Sequence, residues 1–226
     1  AEDAYVDDPR SFQKKPIGLA DHLGRVAAQA GMLCDSLGET GFKEIVVRTG
    51  RWHDLGKAHP VFDATMHACE EAPLGFLAKS PCQARHRRPF FRHELASALA
   101  WLAHHDGEPN ADLVAYLIAA HHGKVRMSLR AMPGEEAPPE IRRFARGVWE
   151  GDSLPALDFD GEQSPEITLK LALMEMGEGE QGASWMERTL RLLEQHGPFR
   201  LAWLEALVRI ADWRASAVEQ EVDHHA

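Results

Sequence analysis

The residues best suited to chemistry are a histidine and an aspartate that stand side by side, His53 and Asp54. They lie in the run WHDLGK at positions 52–57, at the end of a stretch with helical periodicity. Imidazole and carboxylate groups are ligands for divalent metal ions. A His-Asp pair alone is common by chance, but the Gly56-Lys57 that follows makes the motif more specific. We therefore interpret His53 and Asp54 as candidate metal ligands.

Two further candidates, His22 and Asp212, lie on apolar helix faces far from this motif. The apolar neighbours at helical spacing are Leu19, Val26 and Leu33 for His22, and Leu201, Leu204, Val208 and Ala215 for Asp212. A carboxylate on a buried face is costly unless it is paired or bound to a metal. The alternatives are an ion pair with an arginine for Asp212 and a hydrogen-bonded core position for His22.

Three more histidines complete the candidate set. His93 begins a predicted helix, and the pair His121-His122 ends the next one. In the competing pair His104-His105, His104 lies on the face of His93 but eleven residues later, about 16 Å along the axis, so these two cannot share a metal. A loop-like run follows this pair, and we expect it at a solvated helix end. The histidines expected at the surface are His59, His67, His86 and His196, and His224-His225 are interpreted as a tail.

Helices must position these residues, because the apolar pattern of the chain predicts an all-α protein. Apolar residues recur at helical spacing over 19–37, 42–52, 92–101, 112–120, 167–176, 183–195 and 199–218. The stretches 132–139 and 150–165 contain prolines and acidic residues and are predicted to be loops. No segment alternates clearly enough to predict a strand. The core between the helices is therefore the expected place for a metal site.

The composition is typical of a globular protein. At 226 residues, with 44% hydrophobic and 27% charged, the chain fits a single domain over 1–226. No apolar stretch is long enough to cross a membrane, and no signal peptide begins the sequence. The three cysteines, Cys34, Cys69 and Cys82, form no CxxC pair, and their odd number argues against a disulfide framework. We therefore expect a reduced, cytoplasmic protein.

The formal net charge of −10 at pH 7 does not by itself indicate a nucleic-acid partner. Basic residues nevertheless cluster in the chain, and a local basic strip can bind phosphates on an acidic protein. The clusters are Arg85, Arg87, Arg88 and Arg92, then Lys124, Arg126 and Arg130, then Arg142, Arg143 and Arg146. The candidates for phosphate contacts are Arg88, Arg92, Lys124 and Arg126. The alternative for each is a solvated side chain on a polar helix face.

The order of these motifs resembles a known family. The series His22, His53-Asp54, His93, His121-His122 and Asp212 resembles the HD nuclease domain of the CRISPR-associated helicase-nuclease of type I interference systems. The local contexts are similar too: 53–57 followed by Phe62, Arg92-His93-Glu94 with Ser97, His121-His122-Gly123, and Ala211-Asp212-Trp213 with Ser216. The paired histidines distinguish this family from minimal HD phosphohydrolases. Between positions 126 and 200 the likeness is slight, and we expect a family-specific helical insertion there.

The resemblance implies an HD-superfamily helical bundle with two metal ions in its core. The first ion would be held by His22, His53, Asp54 and Asp212, and Asp54 would bridge to a second ion held by His93, His121 and His122. Two such ions activate a water and stabilise an in-line phosphoryl displacement. The imidazole-rich ligand set favours Mn, Fe, Co or Ni over Mg, which prefers oxygen. Lys57 would assist Asp54 in catalysis by contacting the phosphate or holding the water; the alternative is a surface lysine.

The function that the resemblance implies is metal-dependent cleavage of single-stranded DNA in type I CRISPR interference. The basic candidates Arg88, Arg92, Lys124 and Arg126 would contact the strand. An ATP-driven helicase would feed the strand to the site, and a crRNA-guided surveillance complex would recruit it. The chain shows no helicase motif, so we expect the helicase on a separate chain or a removed domain. Two alternatives stay open: an HD phosphohydrolase of dNTPs or cyclic nucleotides, which needs a closed pocket, and a catalytically inactive helical module that docks a partner.

Overall fold

The computed structural model describes residues 11–82, 84–140, 142–159, 161–179 and 182–221. The tail residues His224-His225 lie outside this part. The segments that carry the predicted ligands are mostly helical. The α-helices are α1 (Leu19–Leu37), α2 (Lys43–Trp52), α3 (Pro60–Met66), α4 (His93–His105), α5 (Ala111–Ala120) and α6 (Trp185–Glu221). The predicted helices over 19–37, 42–52, 92–101, 112–120, 183–195 and 199–218 are confirmed to within a few residues at most ends.

The helices pack around a shared apolar core. Helix α1 packs on α2 and α6, while α4 packs on α5 and on the 3-10 turn Leu55–Ala58 that follows α2. Leu23, Trp52, Trp101, Leu117 and Leu204 from these helices are all buried. Burying one large apolar side chain is worth about 1.5–3 kcal/mol, so this core holds the helix ends in fixed positions.

Glycine and proline set two of the helix ends. Helix α1 ends at Gly38, which adopts the left-handed conformation with a φ of 68°. Helix α6 is interrupted at Gly197, whose φ of 73° is not helical, directly before Pro198. Proline lacks the amide hydrogen and cannot continue the hydrogen-bond ladder. The interruption divides α6 where the sequence analysis separates two helices.

The prediction of an all-α protein is confirmed only in part, because the structure also contains short strands. Short antiparallel strands pair as β1 (Ile17–Gly18) with β2 (Leu77–Lys79), β3 (Phe144–Ala145) with β4 (Val148–Trp149), β5 (Ser153–Leu154) with β8 (Ile167–Thr168), β6 (Leu157–Phe159) with β7 (Glu162–Ser164), and β9 (Glu178–Gly179) with β10 (Gly182–Ala183). The predicted helix over 167–176 is instead β8 and a 3-10 turn, and the predicted loop over 150–165 contains β5, β6 and β7. The expected helical insertion is therefore a region of small hairpins. Strands of two or three residues are too short to show a period of two.

The expectation that the cysteines form no disulfide is also wrong. Cys69 and Cys82 are joined, with their Cα atoms 5.4 Å apart, whereas Cys34 is free and buried. Cys69 follows α3 and Cys82 follows β2, and the packing of α3 against β2 brings the two positions together. An odd number of cysteines leaves one unpaired but does not prevent a single bridge.

Within the described residues, no helix combines the length and the apolar character needed to cross a membrane.

Candidate metal centre

The ends of the core helices bring the predicted ligands close together. His22 lies in α1, His53 and Asp54 follow α2, His93 begins α4, His121 and His122 follow α5, and Asp212 lies in α6. Two groups, one of Asp54, His93, His121 and His122 and one of His22, His53 and Asp54, each place one potential ligand atom per residue within 4.8 Å of the others. The two groups share Asp54. Asp212 lies beside the second group, with its Oδ1 3.4 Å from His22 Nε2.

The turn after Asp54 fits closely against the first turn of α4. A Cβ atom on Gly56 would lie 2.1 Å from the His93 carbonyl oxygen, so only glycine permits this approach. The Gly56 amide donates to Ser97 Oγ at 2.7 Å, and the Ser97 hydroxyl donates to the His93 carbonyl at 2.8 Å. The motif after Asp54 therefore fixes the position of His93 relative to Asp54.

The two carboxylate oxygens of Asp54 face different groups of side chains. Its Oδ1 lies 3.0 Å from His93 Nε2 and 3.5 Å from His121 Nε2. Its Oδ2 lies 2.8 Å from Lys57 Nζ, 3.4 Å from His53 Nε2 and 3.7 Å from His22 Nε2. One carboxylate thus stands between two sets of imidazole nitrogens, which is the arrangement of a bridging ligand.

Hydrogen bonds at Nδ1 determine which nitrogen of several imidazoles faces the centre. His53 Nδ1 donates to the Gly50 carbonyl at 2.8 Å, and His121 Nδ1 donates to the Ile118 carbonyl at 2.6 Å. His22 Nδ1 lies 3.0 Å from a carboxylate oxygen of Glu219. Because these acceptors take the Nδ1 hydrogen, each neutral ring directs the lone pair of Nε2 toward the centre.

Several of these inward-facing atoms make no hydrogen bond. Nε2 of His22, His53 and His121 and Oδ1 of Asp54 are buried without a hydrogen-bond partner. Leaving one buried polar atom unsatisfied costs about 1–3 kcal/mol, and native structures contain few such atoms. Four such unsatisfied atoms in one place are explained if cations occupy the space between them. The donor set of imidazole nitrogens and carboxylate oxygens fits divalent metal ions.

The electrostatics keep Asp54, Asp212 and His53 in the states that bind metals. At His22 and His121 burial opposes protonation, but neighbouring carboxylates outweigh it and raise the pKa of both rings. Burial raises the pKa of Asp54, but the nearby His53, Lys57 and His93 hold it well below its usual range. Burial lowers the pKa of His53, so its ring is neutral. Burial also opposes ionisation of Asp212, but the contact with His22 holds the pKa of this carboxyl below its usual value. Ionised carboxylates and neutral imidazoles are the forms that coordinate metals.

Lys57 is buried, which excludes the alternative of a surface lysine. Its side chain is 1% exposed, and its Nζ lies 2.8 Å from Asp54 Oδ2 and donates to the Ala78 carbonyl at 3.1 Å. The ammonium group therefore orients the carboxylate that lies between the two groups of ligands.

The four predicted phosphate contacts differ in their surroundings. Arg88 binds both carboxylate oxygens of Asp152, donates to the Gly147 carbonyl at 2.9 Å and stacks 3.7 Å from the Trp149 ring. Arg126 pairs with Glu205 at 2.8 Å. Lys124 is exposed, and Arg92 is partly buried directly before His93. The structure thus pairs Arg88 and Arg126 with carboxylates of the same chain.

Two buried acidic residues that lie near the candidate ligands were not predicted. Glu219 is 2% exposed and contacts His22 Nδ1, and Glu94 is fully buried next to His93 with no hydrogen bond to either carboxylate oxygen. Glu219 lies seven residues after Asp212 on the same face of α6, so the apolar stripe that indicates Asp212 could have identified it. For Glu94 the only signal is its place beside His93.

Three histidines expected in solvent are buried. His59 is 2% exposed, with its Nε2 3.1 Å from Asp152, and His86 is 8% exposed and hydrogen-bonds Thr65. His105 stacks on Trp101, with 3.6 Å between ring centroids, although His104 beside it is exposed. The partners that cover His59 and His86 are distant in sequence, so local sequence gives no sign of them, whereas Trp101 lies four residues before His105 on the same helix. His67 and His196 are partly buried.

A mostly helical fold with a His-Asp pair in its core and histidines around it defines an HD-type domain. The family model described as "Cas3, HD domain" matches residues 10–220. The chain therefore belongs to the family of HD nuclease domains of Cas3-type CRISPR proteins. A search of curated proteins and a search of solved structures each found no match.

Proposed function

We propose that this chain is a two-metal nuclease that cuts single-stranded DNA in type I CRISPR interference. The family supports a metal-dependent nuclease, and the finer assignment rests on one observation. Asp54 directs its two oxygens toward separate groups of imidazoles, with Oδ1 3.0 Å from His93 Nε2 and Oδ2 3.4 Å from His53 Nε2. This arrangement supports Asp54 as the ligand shared by two ions.

The proposed ligands divide as the resemblance implies. The first ion would be held by His22, His53, Asp54 and Asp212, and the second by Asp54, His93, His121 and His122. Bound there, Mn, Fe, Co or Ni ions would supply Lewis acidity for the scissile phosphate and an activated water.

The chain's own groups hold this ligand set in place. Lys57, 2.8 Å from Asp54, keeps the shared carboxylate ionised and oriented. The Nδ1 hydrogen bonds of His53 and His121 fix which nitrogen each ring presents. Such preorganisation lets the site meet charge that develops on the phosphate without first rearranging.

The partners that we propose are a helicase, on a separate chain or domain, and a crRNA-guided surveillance complex. The HD site cuts a strand but needs another protein to separate a duplex, and residues 1–226 show no helicase motif. The proposed unit is a single HD domain over these residues. The whole assembly would operate in the cytoplasm.

Cleavage of circular single-stranded DNA with Mn²⁺ and without ATP tests the proposal. The wild-type chain should convert circles to fragments and leave duplex DNA mostly intact, since a flexible strand bends into a recessed site more easily than a stiff duplex. The variant Asp54→Asn should be inactive, because the amide has no charge to share between two ions. The matched control Asp158→Asn removes a carboxylate from an exposed position in β6 and should cut as the wild type does.

A panel of dNTPs and cyclic nucleotides at matched concentration completes the experiment. Cut circles with intact nucleotides would support the nuclease. Rapid hydrolysis of a free nucleotide beside uncut circles would overturn the proposal in favour of a nucleotide phosphohydrolase.

A further inference from the structure

The turn between β3 and β4 rests on the residues that precede His93. Arg146 and Gly147 form this turn with φ values of 54° and 75°. The Arg92 amide donates to the Arg146 carbonyl at 2.9 Å, and a Cβ atom on Gly147 would lie 2.3 Å from Phe91 Cα. The hairpin is therefore held against the start of α4, beside the metal centre.

Arginine is an unusual residue for this turn. Positive φ at both central positions is typical of a tight hairpin in which Asn-Gly is the preferred pair, and a side chain such as arginine is strained there. The backbone geometry thus gives no reason for arginine at position 146. A reason has to come from where its side chain lies.

The Arg146 side chain lies among other positive charges. Burial, followed by the charges of Arg92 and Arg130, lowers the pKa of Arg146. Arg146 Nε is buried without a hydrogen-bond partner. The nearby carboxylate of Glu135 already accepts from the amides of Gly147 and Met132, at 2.6 and 2.7 Å. The positive charges of Arg92 and Arg130 therefore act on Arg146, and neither Glu135 nor Glu94 forms an ion pair with it.

Most other arginines of the described residues are paired with carboxylates, although Arg85, Arg87, Arg209 and Arg214 also have no ion pair. Ion pairs with carboxylates engage Arg48, Arg51, Arg88, Arg126, Arg142, Arg143, Arg188, Arg191 and Arg200. Over the part of the chain that the structure describes, Arg92, Arg130 and Arg146 have no ion pair. The chain has a net charge of −10 and therefore many carboxylates, yet these three arginines have no ion pair with any of them. Neighbouring arginines of this kind favour binding of an external anion.

This arginine cluster is close to the proposed second metal ion. Arg92 is the neighbour of His93 in the chain, and the buried carboxylate of Glu94 acts on both His121 and Arg146. A DNA strand whose scissile phosphate reaches His93 and His121 would bring a neighbouring phosphate to the cluster. Guanidinium groups bind phosphate oxygens with two parallel hydrogen bonds.

We propose that Arg92, Arg130 and Arg146 form a phosphate-binding site for the backbone of the DNA strand beside the bond that is cut. The inference rests on the proposed nuclease function and goes beyond it by assigning strand binding to the β3–β4 hairpin. It also replaces Arg88 and Arg126, which are paired within the chain, as the principal phosphate contacts.

Binding of a fluorescein-labelled oligothymidylate by the full chain, with EDTA to prevent cleavage, tests the site. The test variant is Arg130→Gln/Arg146→Asn. Replacing Arg146 with asparagine creates the Asn-Gly pair that this turn prefers. Arg92 is left unchanged because it adjoins His93. The control, Arg142→Gln, removes a positive charge from an exposed residue that pairs with Glu140.

The double variant should bind the oligothymidylate about tenfold more weakly than the wild type. The slope of its plot of log affinity against log salt concentration should be smaller in magnitude by about 1.4, because each phosphate contact on a single strand contributes about 0.7 and two contacts are removed. The control should stay within about twofold of the wild type. Equal affinity and equal slope for the double variant and the control would overturn the proposal. Loss of Mn²⁺ binding in the double variant would also overturn it, because the arginines would then maintain the metal centre. Failure of the nuclease function is a separate result, seen as uncut circles with the wild-type chain.

Discussion

The helices around Asp54 and the hairpins between residues 144 and 183 contribute side chains to one apolar core, but the hairpins consist of much shorter elements. The helices are fixed by a large apolar core that includes Trp52, Trp101 and Leu204. The hairpins are strands of two or three residues that add Val148, Leu154, Phe159 and Ile167 to the same core, and they also depend on turns, short ladders and polar contacts such as Arg88 with Asp152. All of the candidate metal ligands lie in or directly after the helices. Substitutions in the helical core should therefore affect catalysis most strongly, whereas those in the hairpins should affect mainly stability and strand binding.

The largest effect should come from the paired histidines. The variant His121→Ala should lose more than about 100-fold in cleavage of circular DNA, since even outer partners of metal ligands cost about 10–100-fold. The control His104→Ala removes an exposed histidine that stacks on Trp52 outside the two ligand groups, and it should retain most of the activity. The reverse ranking would mean that the second ion is wrongly assigned.

A smaller loss should follow from Glu219→Gln. The carboxylate accepts from His22 Nδ1 at 3.0 Å, and an amide there can present its NH₂ group to the ring and weaken the preference for Nδ1–H. Affinity for Mn²⁺ should fall about tenfold or more, as measured by calorimetry, while the fold is retained. Unchanged Mn²⁺ affinity would show that Glu219 does not position His22.

Stability rather than catalysis should respond to Gly147→Ala. The new methyl group would overlap Phe91, whereas Gly161→Ala has a similar φ of 77° and no atom within 4 Å of the added carbon. Both variants carry the same backbone strain, so their difference isolates the contact with Phe91, which lies just before α4. Urea unfolding should show Gly147→Ala less stable than Gly161→Ala by about 1–3 kcal/mol. Equal stability would argue that the hairpin does not press on Phe91.

The smallest effect should come from Asp152→Asn, which weakens a link between the two regions. Burial raises the pKa of Asp152, but His59 and Arg88 outweigh it and lower the pKa. A lowered carboxyl pKa stabilises the fold above the unfolded value near 3.9, and this stabilisation is lost as pH falls through the folded value. The variant should be less stable than the wild type at pH 7, and the gap should narrow as the pH falls below about 4. A gap that is constant with pH would contradict this role.

The difference in length between the helices and the hairpin strands explains what the sequence can and cannot predict. Helical periodicity indicates α1, α2, α4, α5 and α6, because each is long enough for an apolar face to repeat. It also identifies the residues that the structure brings together at Asp54, since ligand-type side chains stand out on apolar faces. The hairpins were not predicted, because two residues cannot display alternation and their turns depend on single positions such as Gly147.

Long-range partners are the other limit of the sequence. Glu219 and His22 are 197 positions apart, and the burial of His59 depends on Asp152 in a hairpin. The absence of an ion pair at Arg146 can be seen only in the structure, which shows where the carboxylates lie and which arginines they bind. The disulfide likewise depends on how α3 packs on β2, which no count of cysteines reveals.

Elemental analysis of the purified chain tests the central claim most directly, that Asp54 joins two metal ions. After loading with Mn²⁺ and removal of excess metal, the wild type should retain about two ions per chain. The variant Asp54→Ala should retain fewer than one, because both ions lose a ligand, while Asp158→Ala should match the wild type. Equal metal content in the wild type and Asp54→Ala would contradict the account.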